Sequence, residues 1–113
     1  MNTTEANAQI NVDKLYYIVE VSSSLVGFKN PTASIDSRCG IITSPEAAAA
    51  RIKQLQRTDE LMGYYGNTYE IFDSKEAADA RRDALNRANA IEVAEWRNKV
   101  YGEPVPAHLA KVS

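Results

Sequence analysis

The residues of this sequence that could carry out chemistry are few and isolated. Its single cysteine, Cys39, stands next to Arg38, whose charge could lower the thiol pKa, but consecutive residues of a strand point to opposite faces of a sheet. Its single histidine, His108, lies near the end of the sequence with no second histidine to share a metal ion. We therefore predict no reactive thiol, no metal site and no nucleophile–histidine pair.

The carboxylates and glycines also lack a catalytic arrangement. Asp59 and Glu60 are adjacent, so they diverge on a helix, whereas Glu92 and Glu95 share a helix face that is rich in arginine, which is typical of a solvated charged surface. The five glycines are scattered and form no phosphate-binding loop. No cofactor is predicted.

A tyrosine pair is the strongest candidate for recognition. Residues 63–67 read Gly-Tyr-Tyr-Gly-Asn, and two tyrosines between glycines cannot both be buried easily. Tyrosine is a frequent anchor at protein interfaces, and it can also stack on a base. We expect Tyr64, Tyr65 and Asn67 to belong to a binding surface. The alternative is a plain turn with one tyrosine packed on the core.

Three segments have the composition of strands that could position this loop. Residues 15–21 are rich in aromatic and β-branched side chains and are apolar on both faces, which is typical of a central strand or one covered on both sides. Residues 34–43 are a second candidate, ending in Ile41 and Ile42. Residues 67–72 are the third.

Two helices follow the second and third strands. Ser44, Pro45 and Glu46 form a typical helix start, and this helix is predicted to reach about Met62, before Gly63. Its apolar stripe consists of Ala48, Ile52, Leu55 and Met62. The second helix is predicted over residues 75–101, with Asp73 or Ser74 as its N-cap and Gly102 after its end.

The two strand–helix modules resemble each other. Residues 41–55 align without gaps to residues 71–85, and eight of fifteen positions are identical. Convergence on favourable helix-start residues and a true duplication both account for this repeat. In either case the element order is β-β-α-β-α. We predict a small α+β domain with an antiparallel or mixed sheet of three to four strands and two helices packed on it.

The second helix is longer and more apolar than one sheet contact requires. Its 27 positions span about 40 Å, whereas a globule of this length has a diameter of about 34 Å. Small and large apolar residues form a wide arc, which favours two packing partners. We consider a single wide internal contact, a homodimer through residues 75–101 and a foreign partner. Arg82, Trp96 and Lys99 mark the candidate surface.

Length and charge limit the organisation of the chain. The 113 residues carry a net charge of −2, with no strongly basic segment. We predict a flexible N-terminal arm over residues 1–12, one domain over residues 13–102 and a loose C-terminal tail over residues 103–113. The sequence has no secretory signal and no membrane-spanning run, so a cytoplasmic location and no membrane partner are expected.

By elimination, the sequence favours a small non-catalytic protein that acts by binding another protein. Inhibitors, adaptors and the accessory factors of phages or mobile elements have this size. One alternative is a nucleic-acid-binding accessory module that uses the arginines of the second helix. Another is a small enzyme whose site is shared across a dimer interface.

Overall fold

A computed structural model describes residues 14–37 and 40–110 of the chain. The elements are β1 (Tyr17–Ser22), β2 (Thr32–Ile35), α1 (Pro45–Met62), β3 (Thr68–Phe72) and α2 (Lys75–Tyr101), followed by a short 3₁₀ helix (Ala107–Leu109). The predicted β-β-α-β-α order and the α+β class are confirmed. The predicted arm, residues 1–12, and the pair Arg38 and Cys39 lie outside the described residues.

The three strands form one antiparallel sheet in the order β2-β1-β3. β1 is therefore the central strand, as its two apolar faces predicted. Glu20 of β1 lies opposite Ser34 of β2 on one side and opposite Tyr69 of β3 on the other.

Each face of the sheet is covered by one helix. Ile18 of β1 is fully buried on the face covered by α1, where it packs with Ile42, Ala48 and Leu55. Its neighbour Val19 is fully buried on the opposite face, in the cluster that contains Ala78 of α2. Burial of one such side chain contributes about 1.5–3 kcal/mol to the stability of the fold. The two faces of β1 thus contribute to both core clusters, one under each helix.

Local capping chemistry fixes where both helices begin and end. The Ser44 hydroxyl accepts the Ala47 N–H at 3.0 Å, and the Ser74 hydroxyl accepts the Ala77 N–H at 3.1 Å, so Ser74 rather than Asp73 caps α2. Gly63 follows α1 with a φ of 77°, a left-handed conformation that favours glycine. The predicted bounds of both helices are confirmed.

The second strand differs from its prediction. It spans Thr32–Ile35 rather than residues 34–43, so that prediction is wrong at both ends. Gly40 has a φ of 79°, which is incompatible with an extended strand. Ile42 lies beyond the strand, but it is buried, and its carbonyl accepts the Tyr16 N–H at 2.9 Å.

The chain turns back after α2. The Arg97 guanidinium donates to both carboxylate oxygens of Glu103, at 2.9 and 3.2 Å, and Arg87 donates to the His108 carbonyl at 2.8 Å. A pocket of about 330 Å³ separates this segment from the apolar residues Val93 and Ala94 of α2. The described part of the predicted loose tail thus contacts α2, on a face that includes Ala90, Val93 and Ala94.

Candidate functional site

One end of the sheet carries most of the predicted binding residues. β1 ends there and β2 and β3 begin there, because Ser22 pairs with Thr32 and Val21 pairs with Thr68. We call it the loop end, since the connections 23–31 and 63–67 both lie at it. α2 starts at the opposite end of the sheet and extends past the loop end.

The structure therefore divides the six predicted residues into three groups. Tyr64, Tyr65 and Asn67 lie together in the loop that precedes β3. Trp96 and Lys99 lie in the part of α2 that projects past the loop end. Arg82 lies apart from both groups, in the first half of α2.

The tyrosine loop borders a cleft of about 500 Å³ at the loop end. We call it the tyrosine cleft; it is lined by Glu20, Ser22, Ser23, Thr58, Asp59, Tyr64, Tyr65 and Asn67. The exposed fraction is 55% for Tyr64 and 76% for Tyr65, so neither ring is packed in the core. The alternative of a turn with one buried tyrosine does not describe this loop.

Close backbone contacts hold the two tyrosines in place. Gly66 has a φ of 90°, and a Cβ atom added to it would lie 2.9 Å from the Cβ of Ser23. The Ser23 hydroxyl donates to the Tyr65 carbonyl at 3.3 Å, and the Tyr64 N–H donates to the Asp59 carbonyl at 2.8 Å. Any other residue at position 66 would both strain the turn and push the loop away from β1.

Beside this cleft, one phenol is shared by two carboxylates. The Tyr69 hydroxyl contacts Asp59 through a short hydrogen bond and Glu20 Oε2 at 3.3 Å. It has one proton and can donate to only one of them at a time. Burial first, and then the hydrogen bond to Asp59, raise the pKa of Tyr69 far above its usual value. Sequence reasoning missed this group, because its members are distant in the chain.

The surroundings of the tyrosines are acidic. A second, shallower depression of about 270 Å³ lies next to the tyrosine cleft and shares Asp59, Tyr64, Tyr65 and Asn67 with it. Glu60 adds a third carboxylate there, after Glu20 and Asp59. Among the described residues that line the two depressions there is no lysine and no arginine. This surface is suited to a positively charged partner.

Trp96 belongs to an aromatic cluster on the projecting part of α2. Its ring meets Phe28 edge-on at a centroid distance of 5.7 Å and Tyr101 at 5.5 Å. Trp96 remains 41% exposed, and Leu25 and Val26 in the adjoining loop are also exposed. The cluster therefore presents apolar surface while it holds the loop against the helix.

The predicted basic residues of α2 are largely engaged with carboxylates. Arg82 pairs with Asp83 at 3.0 Å and with Asp79 at 3.5 Å. Arg81 contacts both carboxylate oxygens of Glu70, at 3.0 and 3.2 Å. Lys99 is exposed in the last turn, where a cation is favoured by the helix dipole.

Two asparagines of α2 bind the backbone of the segment that leads into β2. Asn86 accepts the Ala33 N–H through Oδ1 at 2.7 Å and donates from Nδ2 to the Ala33 carbonyl at 2.9 Å. One turn later, Asn89 Nδ2 donates to the Asn30 carbonyl at 2.9 Å. These bonds fix the edge strand and the loop before it against α2.

Glu92 completes this row of polar side chains. Its carboxylate accepts the backbone N–H groups of Lys29 at 2.7 Å and Asn30 at 2.8 Å, and the Asn30 side-chain amide at 2.9 Å. These hydrogen bonds, that of Lys29 foremost, lower the pKa of Glu92 from its usual value. The helical spacing of residues 86, 89 and 92 was the sequence signal for this row, but only Glu92 was considered, as part of a solvated charged surface.

Neither searches for membrane helices and metal sites nor comparisons with other proteins assign a function to this chain. The described residues contain no helix with the length and apolarity needed to cross a membrane, and no group of three potential metal ligands. No family model matches the sequence, and searches of curated proteins and of solved structures gave no match.

Proposed function

We propose that this chain is a non-catalytic protein-binding protein of the inhibitor or adaptor type, and that the loop end of its sheet is the binding surface. The observation that carries the proposal is the exposure of Tyr64 and Tyr65 beside an acidic cleft on a rigid turn. Exposed tyrosines bury a large area at a small entropic cost, and a rigid loop does not have to be ordered on binding.

The aromatic cluster on α2 adds a second contact area at the same end. Trp96 and the exposed Leu25 and Val26 would extend an interface beyond the tyrosine cleft. Interfaces of standard size bury about 800 Å² on each partner, more than one small loop provides. Lys99 lies next to this area and would contribute at its rim. Arg82 is no longer part of the proposed surface, because its guanidinium pairs with Asp79 and Asp83.

The two alternatives have weaker support. A nucleic-acid module would need free cations, whereas Arg81, Arg82 and Arg97 all pair with carboxylates and the tyrosine cleft is acidic. An enzyme would need convergent catalytic groups. The phenol of Tyr69 is held between two carboxylates at a raised pKa, so it is a poor general acid or base near neutral pH.

Site-specific photocrosslinking tests the proposal. A photoreactive phenylalanine analogue is placed at Tyr65, and the variant is irradiated in a lysate of the organism that carries the gene. We expect a discrete protein adduct that disappears when excess unmodified protein competes. The same analogue at Glu76, exposed at the opposite end of the sheet, is the matched control. Identical adducts at both positions, or none at Tyr65, would contradict the proposal.

A further inference from the structure

The two edges of the sheet differ in whether their outward-facing backbone groups are hydrogen-bonded. β2 and β3 are the edge strands, since β1 lies between them. In an antiparallel pair, opposed residues alternate between those that exchange both backbone hydrogen bonds and those whose N–H and C=O point away from the partner strand. The register therefore shows which backbone groups point outward at each edge.

At the β2 edge, the outward groups of Ala33 are bound. The Asp36 N–H donates to the Ile18 carbonyl at 2.9 Å, so Ile18 faces β2 and, three residues along, Val21 faces away from it. Ala33 lies opposite Val21, so the N–H and C=O of Ala33 point outward. Asn86 binds both groups. α2 thus covers this edge at its centre.

At the β3 edge, the outward groups have no hydrogen-bond partner within residues 14–37 and 40–110. Because Ile18 and Glu20 face β2, their opposite residues Ile71 and Tyr69 direct their N–H and C=O away from the sheet. Among the described residues, no hydrogen bond to the backbone of Tyr69 or Ile71 is formed at this edge. The side chain of Ile71 is also 40% exposed. Unpaired edges of this kind are templates for the addition of a further strand.

The carboxylates near the β3 edge favour a partner strand with a basic side chain. A residue paired with Tyr69 in an added strand would have its side chain on the same face as Tyr69, next to Asp59. Glu60 and the tyrosine cleft continue this acidic surface. A lysine or arginine at that position would meet carboxylates, and tyrosine rings there favour a cation further. An apolar residue opposite Ile71 would cover its exposed side chain.

A second copy of this chain fits the edge less well. A two-fold pairing that matches Tyr69 with Ile71 of the other copy places two Glu70 side chains directly opposite each other, each already bound by Arg81, so this pairing brings like charges together and gains no new ion pair. The other strands offer no basic residue in their place, since β1 and β2 contain none.

We propose that the outer edge of β3 accepts an extended, lysine- or arginine-bearing segment of a protein partner by strand addition. This inference rests on the protein-binding function proposed above and names the chemistry of the partner. The added strand pairs with the backbone of Tyr69 and Ile71 and places a basic side chain beside Asp59.

Amide hydrogen exchange, resolved by residue, tests the proposal with a defined probe. The probe is the synthetic peptide acetyl-KTVTKTVTK-amide, and its control carries glutamate in place of each lysine. In the protein alone, the Tyr69 and Ile71 amides should exchange rapidly, whereas the Glu70 and Phe72 amides, which face β1, should be protected. The lysine peptide should slow exchange at Tyr69 and Ile71 by about tenfold or more, and the glutamate peptide should not.

A proline substitution supplies the matched variant. Ile71→Pro removes an outward N–H and leaves the bonds of Glu70 and Phe72 to β1 in place, and proline is tolerated on edge strands in that orientation. It should abolish the effect of the peptide, whereas Ile71→Thr, which keeps the N–H, should preserve it. Thermal melting of both variants verifies that the sheet is intact.

The outcomes separate this inference from the proposed function. No slowing by the lysine peptide, equal slowing by both peptides, or slow exchange of Tyr69 and Ile71 in a protein that has the mass of a dimer would each overturn strand addition. If the adduct at Tyr65 is nevertheless obtained, the proposed function stands and only the mode of binding is wrong.

Discussion

The side-chain amide of Asn86 in α2 makes both hydrogen bonds that the outward-facing backbone of Ala33 in β2 requires. A single asparagine thereby takes the place of a neighbouring strand at that point. The helix covers the edge without lengthening the sheet, because an amide carries a donor and an acceptor in the same arrangement as a peptide group.

The first prediction concerns this contact. Asn86→Ala should lower the free energy of unfolding by about 1–3 kcal/mol, since the N–H and C=O of Ala33 lose their partners at a partly buried site. Urea denaturation measures the change. Glu95→Ala, on an exposed position of the same helix, should change stability by less than about 0.5 kcal/mol. Equal effects of the two substitutions would show that the Asn86 contact is not stabilising.

The second prediction concerns pH. The pKa of Glu92 is lowered in the folded state from its usual 4.5, with the Lys29 N–H as the first cause. A depressed carboxyl pKa contributes stability that is fully present above the unfolded pKa and is lost as the pH falls through the folded one. As the pH is lowered from about 4.5, the thermal midpoint of the wild-type protein should therefore decrease more steeply than that of Glu92→Gln. Parallel curves would contradict the role of this carboxylate.

The third prediction concerns the shared phenol. Tyr69→Phe removes the proton donor between Asp59 and Glu20, so two carboxylates face each other without a bridging hydrogen bond and repel. This repulsion destabilises the variant where carboxyl groups are ionised and is relieved in acid, where they take up protons. The destabilisation by Tyr69→Phe should therefore be larger at pH 7 than at about pH 4. Denaturation at both pH values measures this, and a pH-independent loss would disprove the repulsion.

The ionisation of Tyr69 itself gives a fourth, spectroscopic prediction. Because the pKa of Tyr69 is raised, its phenol should stay protonated well above pH 10.0, the usual tyrosine value. The tyrosinate absorbance of the wild-type protein and of Tyr69→Phe should then coincide through pH 10 and separate only in more alkaline solution. A difference between the two curves already below pH 10 would contradict the geometry of this group.

The fifth prediction concerns the segment after α2. Deletion of residues 103–113 should expose Ala90, Val93 and Ala94, which line the pocket between α2 and that segment. Light scattering should then detect self-association of the shortened chain. Arg97→Gln removes only the ion pair with Glu103 and should leave the mass unchanged. A shortened chain that stays monomeric would indicate that this face of α2 needs no cover.

The sequence predicted what is determined by local chemistry. Ser44, Ser74 and the glycines after each helix set the helix bounds, and the two-sided apolar pattern of β1 identified the central strand. The limits of β2 were wrong, and its extension to Ile41 and Ile42 failed because the positive φ of Gly40 interrupts an extended backbone.

The site was predictable only in part. Tyr64 and Tyr65 stood out because glycines flank them, whereas the Tyr69 phenol and its two carboxylates come from three elements that only the register of the sheet brings together. The sequence placed Glu92 on a solvated charged surface and gave no role to Asn86 and Asn89, because the partners of this polar row lie more than fifty residues earlier in the chain.

That separation has a consequence for the synthesis of the protein. Asn86 follows Ala33 by 53 residues. At ribosomal rates of about 5–20 residues per second, the edge of β2 is made roughly 3–10 s before the side chain that covers it. During translation this strand is therefore open to pairing with other nascent chains, and we expect the risk of misassembly to end only when α2 has emerged.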